Sequence, residues 1–457
     1  MRGRSIAALA AAVLAAAGPA LAQNSPEPGE LGPQQANPSG PADAAPERFA
    51  VHGQVTYILQ AHPAFRSPYA GPQSLTGKAD TGRTVDATLY LGASPWDGAE
   101  VWVNPESYQG FAPGDTLGVA GYVNGDGAKV GKQHLYTRIA RLFMRQTVDL
   151  GGEPEAVAPD LNQLGGSHSG DRLVVTAGKY SATDVFDTNK YAHDARHDFL
   201  NWSAIAAGSF DYAADAWGYT YGAAAEWYRG AWTVRAGLFD LSIVPNNKTL
   251  TPDLTQVQAV GEVERRFTMG GRPGAARVTG FVTRGRMGRY ADAIALAAAT
   301  GLAPDTGLVR RYRSRPGVDL NLEQEVAEGL GLFGRLGWAD GRYEAYEYTD
   351  IDRTVEIGAS LQGARWGRKE DSAGLALIAN DVSSEAKRYF GAGGLGILVG
   401  DGRLPHPGPE EILEAYYSLG LLAFANLSLD YQLIAHPAYN RDRGPVNMLG
   451  LRVHLQR

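Results

Sequence analysis

The sequence predicts an all-β fold: a transmembrane antiparallel β-barrel of about sixteen strands, with short periplasmic turns and long extracellular loops. Three observations carry this prediction. Apolar and polar residues alternate with period two in one segment after another, most of them close to the about 9 to 11 residues that a tilted membrane strand needs. The connections between these segments alternate between short and long. After residue 22, no window approaches the run of about 20 apolar residues that a spanning helix requires, so this chain would cross a membrane only as a closed barrel.

The first element is a leader. Arg2 and Arg4 precede an apolar run from Ile6 to Ala17, and Ala20-Leu21-Ala22 forms a small-residue cleavage box before Gln23. This is the pattern of a cleaved secretory signal peptide over residues 1–22. Residues 23–48 follow with six prolines and almost no large apolar side chains. Such a segment buries too little surface to offset its ordering entropy, which predicts a disordered periplasmic lead. The remainder, 49–457, reads as one unit, because no linker of similar composition recurs.

Within that unit, strands fall near 51–60, 84–92, 99–106, 135–148, 172–180, 217–228, 231–239, 256–269, 275–286, 315–327, 329–339, 354–362, 372–380, 412–420, 423–435 and 446–456. GVDLNLEQEV shows the pattern best. Val318, Leu320, Leu322 and Val326 share one face, while Asp319, Asn321, Glu323 and Glu325 share the other. The links at 61–83, 107–134, 181–216, 287–314 and 381–411 are long. Those at 93–98, 229–230, 270–274, 328–329 and 421–422 are short, and 149–171 is the one exception to the alternation. Trp96, Trp227, Tyr228, Trp232 and Trp366 gather at short-turn ends, where a membrane interface favours aromatic rings. No amphipathic helix of useful length stands out to cover sixteen greasy strand faces. The acids therefore line an aqueous interior and the apolar faces meet lipid, where a charge would cost several kcal/mol.

Composition narrows the function. There is no cysteine, which excludes disulfide frameworks and thiolate chemistry. The formal charge of −7 becomes −9 without the leader, and a mildly acidic chain is no candidate for nucleic-acid binding. No Gly-x-Ser-x-Gly elbow or His-Glu-x-x-His motif occurs, so neither catalytic residues nor a cofactor is expected. His193 and His197, flanked by Asp194 and Asp198, would share a face on a helix and could bind a metal there, but a hydrogen-bonded loop is the ordinary explanation and no metal is expected.

A series of ordered motifs then becomes recognisable: VHGQVTYILQAHPAFRSPYAGPQSL (51–75), VWVNPESYQGF (101–111), TLGVAGY (116–122), RIARLFMRQTVDLGG (138–152), TAGKYSATDVFDTNKYAHD (176–194), DFLNW (198–202), DYAADAWGYTYGAA (211–224), AGGLGILVGDG (392–402) and PAYNRDRGPV (437–446). From about residue 50 to its end the chain resembles the carbohydrate-selective porins of the OprB type. The resemblance implies a sixteen-stranded barrel in the outer membrane of a Gram-negative bacterium, passing mono- and oligosaccharides by passive diffusion. It implies small sugars, outer-membrane lipid and lipopolysaccharide as partners, and leaves monomer or homo-trimer open. The chain departs from the pattern at its end, where Leu455-Gln456-Arg457 replaces the usual terminal aromatic.

A sugar is neutral, rich in hydroxyls and apolar on its ring faces, so recognition calls for aromatics mixed with donors and acceptors. Strand parity turns Trp102, Asn104 and Glu106 inward, and Arg141, Phe143 and Arg145 inward on the next strand, as an aromatic- and charge-lined constriction. Arg235, Asp319, Glu323, Glu325 and Arg335 are further lining candidates, along with Glu262, Glu264 and Glu356. By analogy with porins whose third long loop enters the lumen, Phe186, Asp187, Asn189, Tyr191 and Asp194 are expected to narrow the pore. The arginines of RRYRSR (310–315) suit either lipopolysaccharide phosphates at the rim or the vestibule wall. Other readings of the same residues are a general or anion-preferring diffusion porin, a barrel enzyme, or a secreted glycan-binding β-protein.

Overall fold

Period-two alternation becomes a closed wall of sixteen antiparallel strands in the computed structural model, which describes residues 46–127 and 131–457. The expected leader and most of the Pro-rich lead lie outside the described residues. The strands are β1 (Phe49–His62), β2 (Asp80–Ala93), β3 (Ala99–Phe111), β4 (Lys132–Val157), β5 (Gly166–Tyr180), β6 (Thr220–Arg229), β7 (Trp232–Asp240) and β8 (Val257–Met269). They continue with β9 (Arg272–Met287), β10 (Arg311–Ala327), β11 (Leu330–Ala339), β12 (Arg353–Gln362), β13 (Ser372–Asp381), β14 (Glu410–Leu422), β15 (Ala425–Ala435) and β16 (Val446–Gln456). Each strand pairs with its sequence neighbours, and β16 closes onto β1 from Gln54 opposite Gln456 to Ala61 opposite Leu449.

The two faces of the wall differ as the alternation predicts. On β10, Val318, Leu322 and Val326 are exposed on the outside, while Asp319, Asn321 and Glu323 are buried within. Leu336, Val355, Ile357, Leu429 and Leu449 extend the same outward apolar belt, each more than half exposed. A continuous apolar surface of this kind does not persist in water, and here it meets the hydrocarbon of a bilayer. Trp96, Trp227, Trp232 and Trp366 stand exposed at the short-turn end. Tyr228 does not join them: it turns inward, donates to Glu226 at 2.7 Å and lies beneath the Arg172 guanidinium.

Three further features differ from the sequence reading. Two long loops carry helices, Tyr290–Thr300 and Ser384–Gly391, whose Tyr290 and Tyr389 rings pack 4.9 Å apart. The first is an alanine run of high helix propensity but few polar positions, so a search for amphipathic periodicity passes over it. Second, the arginines of RRYRSR divide. Arg310 pairs with Glu344, Arg315 is buried against Asp352, and Arg311 is exposed. Third, the exception at 149–171 is not a long loop but a hairpin. β4 leaves β3 after Gln146 and β5 meets β6 only from Arg172, so between these points the two strands pair solely with each other.

That ribbon bends back on itself. Gly151 and Gly152 have φ of 114° and 89°, values that a side chain would strain, and the register breaks beside them. The tip then tucks into the barrel from the short-turn side. Leu161 and Leu164 join the buried cluster around Trp102, and Asn162 accepts from Asn104 at 2.8 Å.

Candidate functional site

The third long loop, residues 181–219, crosses the lumen, and the wall holds it by pairing each type of loop backbone group with its complement. A buried peptide group without a partner is costly, so a loop inside a barrel needs donors and acceptors from the wall. Carboxylates take the amides: Glu262 accepts from Asp187 N and Glu323 from Lys190 N, both at 2.8 Å, while Glu414 accepts from Leu200 N and Asn201 N. Guanidiniums take the carbonyls. Arg335 donates to Ala192 and Ala204, and Arg452 donates to Ala195, His197 and Asp198. The anchors lie on β8, β10, β11, β14 and β16, so the loop is tied to opposite sides of the barrel.

Most of the charged residues expected at the constriction belong to this scaffold. Arg335 sits between Asp187 and Glu356 at 3.2 and 3.1 Å, Arg235 between Glu226, Glu262 and Glu264, and Glu323 faces Arg277 at 3.0 Å. Asp319 accepts from Ser209, and Glu325 pairs with Arg272 near a short turn. In the loop itself, Asp187 and Asn189 bond to Asn321, Phe186 packs edge-on to Phe239, and Tyr191 lies over β11 at Gly331.

The two facing ladders do form: Trp102 lies opposite Phe143, and Asn104 opposite Arg141. Their lower rungs are occupied. Trp102 is fully buried over Gly92, where any Cβ would fall 2.5 Å from its ring, and Arg145 donates to the Asn162 carbonyl at 2.8 Å. The upper rungs open onto a cavity of about 150 Å³ lined by Glu106, Arg141 and Asp194 together with loop residues. A register shift at Asn104/Pro105 adds a residue that parity alone had placed outside. Pro105 has no N–H for the ladder, β4 bulges at Ala140, and Arg138 turns inward beside Glu106.

The cavity has two kinds of wall. On one side Tyr122, Trp202, Tyr212 and Tyr348 form an aromatic patch, with Trp202 stacked on Tyr122 at 5.4 Å and on Tyr212 at 6.1 Å. On the other side Arg141 chelates Asp184 at 2.7 and 2.6 Å, and Arg196 joins Asp126 to Asp86 at 2.8 Å each. Burial works to raise Asp194, yet the hydrogen bond and charge of His197, with Arg196 beyond, hold it well below the ordinary carboxylate range. His193 and His197 share no helical face. His197 bonds Asp194 at 3.0 Å and its ring meets His454 at 4.4 Å.

Three polar atoms of residues lining the cavity have no hydrogen-bond partner among the described residues: Arg141 Nη1, Asp126 Oδ2 and His193 Nδ1. They offer donor and acceptor capacity beside an aromatic surface. Sequence reasoning placed Glu106, Arg141 and Asp194 here but missed Asp126, Asp184, Arg196 and the four aromatics. Tyr122, Trp202 and Tyr212 were in view, since each stands in a motif that carried the family resemblance.

The model of the family described as "Carbohydrate-selective porin, OprB family" matches residues 39–456. The chain is 26% identical over 146 residues to Porin AaxA of Chlamydia pneumoniae, a stretch covering 30% of this chain and 28% of that relative. The chain thus spans less than a third of that curated relative's length. Among solved structures, the high-pH structure of Pseudomonas putida OprB superposes with a TM-score of 0.68 at 14% identity, covering 90% of this chain and 94% of that one.

Proposed function

The chain belongs to the carbohydrate-selective porins of the OprB family, and on that premise we propose that neutral sugars diffuse passively through its lumen by way of the cavity between β3, β4 and the crossing loop. Family and fold point to an outer-membrane β-barrel that acts as a channel. The observation that supports the sugar reading most is the pairing of the aromatic patch with the unpartnered Arg141 Nη1 and Asp126 Oδ2. A sugar ring face stacks on the first, and its hydroxyls bond the second. Glu106, Arg141, Asp194 and Asp126 line the passage, with Trp202 and Tyr212 opposite. The remaining wall residues, Asn104, Phe143, Arg145, Arg235, Asp319, Glu323, Glu325 and Arg335, hold the loop, the hairpin tip and the turns in place around it.

Residues 1–22 serve as the cleaved leader and 23–48 as the periplasmic lead. At the long-loop rim, the outward Arg284 and Arg286 flank Tyr312 and meet lipid or lipopolysaccharide headgroups. Liposome swelling tests the central reading. Vesicles carrying the protein should swell in isosmotic glucose, and Trp202→Ala or Asp126→Asn should change the rate. Swelling no faster than in protein-free vesicles would refute it.

A further inference from the structure

We propose that the constriction prefers cations, so that it admits neutral sugars and amino sugars and retards sugar acids and sugar phosphates. This rests on the porin reading above and adds a charge filter to it. The balance of side chains around the cavity favours positive charge. Arg196 is shared by two carboxylates, Asp86 and Asp126. Arg138 is likewise shared by Glu106 and Asp215, at 3.4 and 3.7 Å, with Lys179 also reaching Asp215 at 3.2 Å. Arg141 is engaged by both oxygens of Asp184, and among the described residues the Asp194 carboxylate bonds only the His197 ring and the Arg196 amide. Among the described residues, six carboxylates thus face three arginines, one lysine and the His197 ring.

Orientation reinforces the count. Arg141 Nη1 is an open donor, but its guanidinium already lies against a carboxylate, so an incoming anion gains little from it. Asp126 Oδ2 is an open acceptor on a side chain only 3% exposed, and it lines the cavity with no cation of its own among the described residues beyond the shared Arg196. A carboxylate or phosphate entering here meets like charge across a narrow gap between protein walls, where repulsion is less screened than in bulk water. An ammonium group at the same place adds attraction to the hydroxyl contacts. A ring of excess acid is a filter against anions.

Two measurements on the wild-type chain decide it. In a planar bilayer under a tenfold KCl gradient, the reversal potential should give a potassium-over-chloride permeability ratio above unity. The double variant Glu106→Gln/Asp126→Asn should bring it down. A wild-type ratio at or below unity overturns the proposal. In liposome swelling, glucosamine should enter at least as fast as glucose, and glucuronate several-fold more slowly. Equal rates for glucose and glucuronate overturn it as well. Failure of glucose itself to enter would instead sink the sugar reading beneath, and the salt ratio then judges the charge filter alone.

Discussion

Arg141 on β4 and Asp184 at the start of the crossing loop form a two-pronged ion pair, Nε to Oδ2 at 2.7 Å and Nη2 to Oδ1 at 2.6 Å. The pair fixes where the loop enters the lumen and sets one wall of the cavity. Removing Asp184 leaves a nearly buried guanidinium unpaired, which typically costs about 3–5 kcal/mol, while removing Arg141 leaves a part-exposed carboxylate and costs less. Arg141→Ala and Asp184→Ala should each lower the temperature at which the folded band converts on an unheated gel. The double variant should cost less than their sum. Sugar-dependent block of conductance should weaken in all three, and strict additivity with unchanged block would contradict the assignment.

Trp102 has a structural role. Its ring is packed over Gly92 away from the residues that line the cavity and its Nε1 donates to Glu100 at 2.8 Å, so it is no platform for a passing sugar. Trp102→Ala should destabilise the barrel by about 3–5 kcal/mol, as large-to-small changes in a packed core do. Trp102→Phe should cost less. Denaturation in detergent measures both, and a neutral alanine variant would show that the ring is not packed as described.

The barrel was legible in the sequence because its evidence is local. A period of two and a sorting of loop lengths by parity both survive in a one-dimensional chain, and so all sixteen strands could be placed. The inward parity of Trp102, Asn104, Glu106, Arg141 and Phe143 followed from the same rule. The cavity was less legible because it is made by contacts far apart in sequence. Asp126 and Arg196 meet across 70 residues, and Tyr348 reaches Tyr212 from another loop. Arg138 was hidden by a bulge that shifts parity, and the folded-back hairpin by a turn whose partner, Asn104, lies 58 residues away.

The hairpin tip sits one rung below the cavity, at the short-turn side. The chain has no native cysteine, so a single engineered pair can report on it. In Asn104→Cys/Asn162→Cys, oxidation should hold the tip inside and reduction should release it, so conductance should be higher in the reduced protein. Deleting residues 158–165 should raise conductance further. Identical conductance in all three states would mean that the tip does not narrow the exit.

Asp350 couples two outer loops, accepting from Ile397 N at 2.8 Å and Leu398 N at 3.0 Å. Burial pushes its carboxyl up to about 7, against the pull of those two amides, and Asp211 and Asp352 add to the rise. Its ordinary value is about 4. Between these two values the folded loops hold a proton that an opened loop releases, so the contact is strongest at the acidic end. It weakens as pH rises through this window and levels off above about 7. Protease nicking of the loop between β13 and β14 should therefore be faster at neutral or alkaline pH than at mildly acidic pH, and Asp350→Asn should flatten the difference. The opposite trend would contradict the assignment.

The central claim is that water fills the middle of this wall and lipid surrounds it, with sugars passing through the water. Purified protein in a planar bilayer tests that most directly. Discrete conductance steps that fall as glucose or maltose is added are the predicted result. A bilayer that stays silent, or conducts with no response to any sugar, would contradict the account.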